Sequence, residues 1–489
     1  MLTAIRNIWF NLAAFSVLFC TIWLFAYTGQ YFLLAIPFAF LYVVLLGVNW
    51  KAAYWIFLFT IPPSIQINFA SDTMSITLPD QPMMWLFLLM FVLILARDPA
   101  VIPKWWWNDP LVFIIALQFI WTIVAVIFSK ILFFSIKFLL AKTWLLACFF
   151  ILPIYIFREK KDFVKGFLLM LIPMLVTVII ILIHHYLLGF KFVHVEKSIS
   201  GLYYNHVDYS TVISMFLPLL LVAWPLTKNK TMATRFTLLL IILIFVAGII
   251  FSQARAAWIA VPFAIIVGLA IRMRLVNLIM PSLYVMLIAL VCYMAPNNKY
   301  LDYRPDYNNT YMHKTIEDHL LATIRGTDMS ARERVYRWIA AVRMSNDRPI
   351  TGYGPRSFYY FYKPYTVTSF RTYVSRNPEQ STTHNYFLYM LVEQGWPAML
   401  LYAWLIYAIF AKAQKIYHRF KDKFYKLCTI GLAMAVAAGF INNFFSELIE
   451  THKVAALFYI PLALLVVLDK KSREEEDMPQ VPDASVVQP

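Results

Sequence analysis

A regular set of arginines lies on one predicted helix, residues 330–344. Good helix formers fill this segment, and proline and glycine stop signals follow it. The 3.6-residue period brings Arg334, Arg337 and Trp338 to one face. A guanidinium group stays charged and donates two parallel hydrogen bonds to phosphate oxygens, so this face predicts a pyrophosphate site. A purely structural role, in which Glu333 pairs with Arg337 one turn later, is the alternative.

A histidine and a further arginine flank the polar stretch that contains this helix. His384 directly precedes an apolar run that predicts a membrane span. A neutral imidazole, with a pKa of about 6.5, can take a proton from a hydroxyl group, so His384 is a candidate base. Arg255 lies between two apolar runs, where a charge is costly and marks a cavity, a partner or phosphate groups. Helix capping by His384 and snorkelling of Arg255 to lipid phosphates are the alternatives.

The composition is that of a membrane protein with many spans. Of the 489 residues, 61% are hydrophobic and 14% are charged, and apolar runs that approach bilayer-spanning length recur along the chain. Only helices suit these runs, because they lack the alternation of barrel strands and a lipid-facing backbone must satisfy its own hydrogen bonds. The net charge of +16 does not indicate nucleic acid binding, since the basic residues form short clusters between the apolar runs. We therefore expect an all-α polytopic membrane protein.

We predict about 12 to 14 membrane-spanning helices. Successive spans cross the membrane in opposite directions, and this alternation puts the Lys and Arg clusters on one side of the membrane. The positive-inside tendency makes that side cytoplasmic, and both termini lie on it. The expected parts are an N-terminal bundle of about eleven helices (1–295), a large periplasmic loop with short helices (296–384), C-terminal spans (385–469) and a disordered cytoplasmic tail (470–489). The predicted spans are 8–27, 31–48, 52–68, 82–96, 110–128, 132–156, 164–189, 208–226, 233–251, 253–271, 275–295, 385–411, 424–444 and 453–468.

Three motifs follow one another around the predicted loop. They are Ser252-Gln-Ala-Arg255-Ala-Ala-Trp258, then Arg334-xxx-Trp338 leading into Arg348-Pro-Ile-x-Gly352-x-Gly354, and finally His384-Asn385-x-x-Leu388 followed by Glu393-x-Gly395. In this order they resemble the signature of the O-antigen ligase and polymerase family of lipid-linked glycan transferases. The resemblance covers roughly residues 251–395, and the N-terminal half is similar only in being a comparable run of spans.

The resemblance implies a GT-C-like glycosyltransferase of the bacterial inner membrane, with its active site on the periplasmic side. Such an enzyme would transfer a glycan from undecaprenyl pyrophosphate to a hydroxyl acceptor with inversion, and without a metal or a nucleotide sugar. Carried over to this sequence, Arg255 and Arg334 would hold the pyrophosphate and His384 would activate the acceptor hydroxyl. This agrees with the chemistry of the residues, because guanidinium groups stabilise the charge that develops on the leaving group.

Further cationic residues are candidates for substrate binding. Three match the family pattern less definitely, and others lie in or beside the sixth predicted span, where they would line a path for the lipid pyrophosphate. Interfacial snorkelling explains Lys130 equally well. The candidates of the first kind are Arg332, Arg337 and Arg356, and those of the second kind are Lys137 and Lys142, beside Lys130.

The sequence leaves the acceptor open. Lipid A-core as the acceptor would make the protein a ligase, which we favour, whereas another lipid-linked chain would make it an O-antigen or exopolysaccharide polymerase. A protein side chain as the acceptor would make it an O-oligosaccharyltransferase. A polysaccharide flippase or secondary transporter is the alternative from another class. It predicts charges near mid-span in two related halves, whereas here the charges gather in one external loop.

Overall fold

The protein is almost entirely helical in the part that the computed structural model describes, residues 2–29, 33, 35–69, 74–304, 328–372, 374–377 and 380–477. One antiparallel hairpin, β1 (Ile65–Phe69) with β2 (Met74–Leu78), is the sheet found in these residues. Short helical turns, among them Lys104–Trp107, Val195–Ile199 and Phe358–Phe361, connect the longer helices. The longer helices are α1 (Leu2–Thr28), α2 (Ile36–Val48), α3 (Trp50–Thr60), α4 (Asp80–Arg97), α5 (Pro110–Ile127), α6 (Leu132–Leu146, continuing through a π-turn to Ile156), α7 (Lys160–Leu187), α8 (His206–Ala223), α9 (Met232–Ser252), α10 (Arg255–Arg272), α11 (Val276–Met294), α12 (Met329–Asp347), α13 (Tyr386–Arg419), α14 (Lys423–Phe444) and α15 (His452–Asp477).

Eleven helices in these ranges are long and apolar enough to cross a membrane, namely α4 to α11 and α13 to α15. Two shorter apolar helical stretches, Phe15–Thr28 and Ile36–Val48, lie in α1 and α2. The predicted all-α polytopic architecture is therefore confirmed. The long amphipathic helix α12 lies between spans α11 and α13, in the region predicted to be a loop with short helices.

The predicted third span, 52–68, is wrong. Helix α3 ends at Thr60, and two prolines, Pro62 and Pro63, precede the β-hairpin. Proline lacks the backbone N–H that a continuing helix needs. The hairpin residues then alternate between apolar and polar types, with Ile65 paired to Leu78, which is the period of a strand and not of a helix.

The centre of the bundle is built around α14 and α15. Almost every residue of α15 within its apolar stretch is buried. Helix α14 is rich in alanine and glycine, which lets neighbouring helices approach closely. A Cβ atom at Gly439 would lie 2.6 Å from Cε of Met215 on α8. These close contacts make the bundle a rigid support for the loops at its ends.

The two ends of the bundle differ in character. We call the end that carries residues 328–385 the loop face, and the other end the opposite face. At the opposite face, the ammonium of Lys412 is buried between Asp109 and Asp469, with Nζ 2.9 Å from the Asp469 carboxylate. Arg419 also donates to Asp469, at 2.8 Å. These pairs tie α13 to α15 and to the N-terminus of α5, so that the buried charges compensate one another.

The first residues of the predicted tail, 470–477, are helical. Helix α15 continues to Asp477, because Arg473 pairs with Asp469 at 2.9 Å and Lys470 pairs with Glu474 at 3.5 Å, one turn apart. The remainder of the predicted tail, residues 478–489, lies outside the described residues.

Candidate active site

A glycine-rich turn of the loop is fixed onto the first turns of α13. The carboxylate of Glu393 accepts hydrogen bonds from the backbone N–H of Arg356, at 2.6 Å, and of Phe358, at 3.1 Å. The backbone N–H of Gly354 donates to the Glu393 carbonyl at 2.8 Å, and that of Trp396 donates to the Pro349 carbonyl at 2.8 Å. Backbone hydrogen bonds therefore join this turn of the loop to the membrane helix α13.

This contact explains the glycines of the second and third motifs. Gly395 has φ 81° and ψ 178°, a conformation that is essentially restricted to glycine. A Cβ atom there would lie 1.9 Å from the Ile350 carbonyl oxygen. A Cβ at Gly352 would lie 2.4 Å from the Glu393 carbonyl carbon, and one at Gly354 would lie 2.0 Å from the Ser129 hydroxyl. No side chain fits at these three positions without moving backbone or the turn before α6.

Gly395→Ala should lower the thermal stability of the purified protein sharply. Backbone strain and the overlap with Ile350 together should cost more than about 3 kcal/mol. Thermal unfolding followed by tryptophan fluorescence measures the effect. Gly47→Ala is the matched control, because nothing lies within 4 Å of the added Cβ in α2 and alanine favours a helix. Equal melting temperatures for the two variants would contradict the proposed fit.

The arginine helix α12 starts at a carboxylate that also binds a predicted site residue. Asp328 accepts the N–H of Ala331 at 2.9 Å and so caps the helix. The same carboxylate oxygen accepts from a terminal nitrogen of Arg255 at 2.8 Å. Arg255 is the first residue of α10, two positions after Gln253, whose φ of 56° turns the chain between α9 and α10. The first two motifs therefore meet at Asp328.

Arg334 lies six positions after Asp328, nearly two turns along α12, and is not neutralised in the same way. Within the described residues its guanidinium makes no hydrogen bond or ion pair, and its Nε is buried without a partner. The ring of Phe445 lies 6.0 Å from the guanidinium carbon. Burial, and then the charge of Arg255, lower the pKa of Arg334 to about 10, against the opposing effect of Asp328. A desolvated cation beside a second cation is a site for an anion.

Arg337, on the same face, has partners in the protein. Its guanidinium lies 3.5 Å from the Glu333 carboxylate and 3.4 Å from the Thr382 carbonyl. Glu333 in turn accepts hydrogen bonds from the hydroxyls of Thr372 and Ser375. The alternative that the sequence left open, an ion pair one turn apart, is therefore present in the structure.

His384 lies beside both arginines of this face. It directly precedes the N-cap Asn385 of α13 and has a φ of 52°. Trp338 Nε1 donates to the Thr383 carbonyl at 3.0 Å and so holds the residue before it. Burial, and then the charges of Arg337 and Arg334, lower the pKa of His384 to about 3. The imidazole is consequently neutral at pH 7 and, in the free protein, a weaker base than an exposed imidazole. It makes no hydrogen bond to any described residue.

Sequence reasoning missed Glu447 in the short connection between α14 and α15. Its carboxylate accepts from the Thr383 hydroxyl at 2.7 Å and from the Asn385 N–H at 3.1 Å. Its charge also raises the pKa of Arg334 against the effect of burial. Burial raises the pKa of Glu447 itself. The only sequence signal was an acidic residue in a connection of a few residues at the loop face.

A second carboxylate of this connection was missed as well. Glu450 accepts from Lys142 Nζ at 2.9 Å and from the Tyr386 hydroxyl at 2.6 Å. Lys142 is buried, so this pair places a compensated charge inside the bundle directly below the loop face. The contact ties α6 and α13 to the connection that holds His384 through Glu447.

Arg356 faces this group of carboxylates. Its side chain is exposed, and its φ is 64°. The surrounding protein lowers the pKa of Arg356, but Tyr389, Glu393, Glu450 and Glu447 raise it by more, so the net shift is upward. The guanidinium therefore lies close enough to these carboxylates to feel their charge, and it remains charged.

Three cationic residues remain, Lys137, Lys130 and Arg332. Lys137 is exposed on α6, with its ammonium 5.3 Å from the ring of Phe133, five residues before the buried Lys142 and thus on another face of the helix. Lys130 precedes the first residue of α6, so it does not share a helix face with Lys137. Arg332 donates to the Tyr303 carbonyl at 2.9 Å, and burial lowers its pKa. The structure thus brings Arg255, Arg334, Arg337 and His384 together, and leaves Lys137 outside.

Comparison with known proteins points to the same region of the chain. The family model described as O-antigen ligase matches residues 238–403, about a third of the chain. This match confirms the predicted resemblance, and its range contains Arg255, Arg334 and His384. It supports a membrane enzyme of the ligase or polymerase type that handles lipid-linked glycans. Glu447 and Glu450 lie beyond the matched range. No curated protein matches the chain.

Proposed function

We propose that the protein transfers a glycan from undecaprenyl pyrophosphate to a hydroxyl acceptor, and that it acts as a surface-polysaccharide ligase. The single observation that carries the proposal is that His384 lies beside Arg334. One is a desolvated cation without an anionic partner among the described residues, and the other is a neutral base beside it. A pyrophosphate supplies the missing anion, and a hydroxyl supplies the proton that the base would take.

The proposed step needs no covalent intermediate. The acceptor hydroxyl oxygen attacks the anomeric carbon while its proton passes to the His384 imidazole. The bond between the anomeric carbon and the pyrophosphate oxygen breaks, and the electron pair leaves with undecaprenyl pyrophosphate. Arg334 and Arg255 stabilise the charge that develops on this oxygen. Attack from the side opposite the leaving group inverts the anomeric centre.

Glu447 and Asp328 are positioning residues in this proposal. Glu447 fixes the backbone on both sides of His384, because it accepts from Thr383 and Asn385. Asp328 orients Arg255 while it caps α12. Preorganised groups of this kind cost no rearrangement when charge develops in the reaction. The arrangement would be GT-C-like in that these groups come from a loop and from the ends of the membrane helices that support it.

We place this chemistry at the periplasmic side of the bacterial inner membrane. The opposite face carries clusters of basic residues, such as Lys412 to Lys426, at the ends of the spans and in the turns that join them, which is typical of the cytoplasmic side. Both termini would then be cytoplasmic. The arginines of the loop face do not contradict this orientation, since the positive-inside tendency does not apply to long loops.

Glycan analysis of a deletion strain complemented with the wild-type gene tests the function. We expect complementation to restore the glycan on lipid A-core, seen as a ladder of bands and confirmed by mass spectrometry. Restored chain length without a change of attachment would indicate a polymerase, and glycan on protein would indicate an oligosaccharyltransferase. If the deletion strain instead accumulated its lipid-linked glycan only on the cytoplasmic side, the defect would be in export, and the transfer proposal would be wrong.

A further inference from the structure

A second cationic site lies at the opposite face, far from the chemistry proposed above. It is an open pocket of about 580 Å³ where the turn between α10 and α11 meets the ends of α13 and α15. Four Lys and Arg side chains and one histidine line it, against two glutamates at the end of α15. The residues are Arg274, Lys415, His418, Arg419 and Lys421, with Glu475 and Glu476.

The two glutamates do not neutralise the pocket. Glu476 lies 3.4 Å from Arg419, which already donates to Asp469. Glu475 accepts the backbone N–H of Lys421 at 2.8 Å. Within the described ranges, the charged ends of Arg274, Lys415 and Lys421 form no ion pair. The pocket thus keeps an excess of positive charge that an anion would compensate.

The apolar surroundings of the pocket indicate a ligand with acyl chains as well as a negative charge. Arg274 lies in the turn between α10 and α11. Met273 precedes it and Leu278 follows in the first turn of α11, and each of these two apolar side chains is 65% exposed. In a membrane, acyl chains cover such side chains. An arginine beside them lies at the level of the lipid head groups. A free anion would compensate the positive charges of the pocket, but it would leave the apolar side chains at its edge uncovered.

Helix α11 adds an observation that does not depend on charge. In the part that the structure describes, it buries only Val276 and Met280, both near its start at the pocket. The backbone N–H of Val276 donates to Gln414 of α13 at 3.0 Å, and Tyr284 donates to the Ala403 carbonyl at 2.7 Å. Few contacts hold this helix to the bundle, so a ligand that bridges its start to the end of α13 would stabilise it.

We propose that this pocket binds the phosphate group of an anionic phospholipid, and that the bound lipid fastens α11 to α13. Arg274 and the two lysines contact the phosphate, while the acyl chains cover Met273 and Leu278. Basic pockets between membrane helices on the cytoplasmic side are suited to anionic head groups. The proposal is independent of the glycan transfer proposed above, and its test does not use transfer as a readout.

Thermal unfolding of the purified full-length protein in detergent, with added lipid, tests the proposal. We expect phosphatidylglycerol to raise the melting temperature and phosphatidylcholine with the same acyl chains to do so far less. The triple variant Arg274→Gln, Lys415→Gln, Lys421→Gln should need on the order of a hundredfold more phosphatidylglycerol, roughly fivefold for each lost charge. Lys415→Gln alone should need roughly fivefold more, and it serves if the triple variant folds poorly.

A matched control removes three charges from the same face outside the pocket. Lys228→Gln, Lys230→Gln, Arg272→Gln should keep the wild-type response to phosphatidylglycerol, because none of these residues lines the pocket. An equal loss of response in this control would overturn the proposal, since the lipid would then act only through the general charge of the face. Equal stabilisation by inorganic phosphate without lipid, or by phosphatidylcholine, would also overturn it.

Discussion

His384→Ala should abolish glycan transfer while the protein remains folded in the membrane. The variant removes the base that would take the acceptor proton, and loss of such a base slows a reaction by about 10²- to 10⁴-fold. Burial and two neighbouring arginines lower the pKa of this imidazole to about 3, so it is neutral at pH 7, and a bound pyrophosphate would offset the charge of the arginines and raise its basicity. Transfer measured with the lipid-linked donor, alongside the amount of protein recovered by size exclusion, separates loss of chemistry from loss of fold.

The backbone at His384 provides a sharper control. Its φ of 52° lies in the left-handed region, where alanine is strained and asparagine is tolerated. His384→Asn therefore keeps the backbone conformation but cannot accept the proton at pH 7. We expect it to be as inactive as His384→Ala and closer to wild type in stability. Transfer restored by asparagine would show that the alanine variant fails through its backbone, and the role of base would have to be given up.

Local signals predicted the parts of the site that belong to single segments. The predicted helix 330–344 corresponds to α12, Met329–Asp347, because a capping residue, helix formers and a proline stop act within one stretch of chain. His384 precedes α13 for the same reason, since Asn385 is a good N-cap before an apolar run. The kink at Gln253 likewise separates two apolar runs.

Contacts between distant segments could not be read in this way. Glu447 meets His384 across 63 positions of sequence, and Glu450 meets Lys142 across 308. Nothing in either segment alone shows that its partner is near. Polar pairs in a bundle depend on how the spans are arranged, which a list of apolar runs does not determine.

The charge on Arg334 should not be enough for activity, so Arg334→Lys should lose transfer by roughly 10²-fold. A lysine ammonium keeps the positive charge but cannot donate two parallel hydrogen bonds to the pyrophosphate. The loss should fall on the rate of the chemical step, since the leaving group gains its charge in the transition state. Single-turnover transfer from the lipid-linked donor measures that rate.

Arg343→Lys is the matched control for this substitution. It lies on the opposite side of the same helix, where its guanidinium donates to the Tyr300 hydroxyl at 2.8 Å. The exchange removes a guanidinium from α12 but not from the site. Transfer by this variant should therefore remain close to wild type. Equal losses in the two variants would mean that α12 needs arginines for its fold, and Arg334 would lose its special role.

Stability then distinguishes a substrate contact from a structural one. Arg334 has a buried Nε without a partner and stands beside two other arginines, so the free protein gains little from its guanidinium. The variant Arg334→Met puts an apolar side chain at this position. It should leave the melting temperature unchanged or raise it, while transfer is lost. A structural arginine would behave in the reverse way, because its removal would leave a buried partner uncompensated. A marked fall in the melting temperature of Arg334→Met would therefore show that Arg334 supports the fold, and the pyrophosphate would need another ligand.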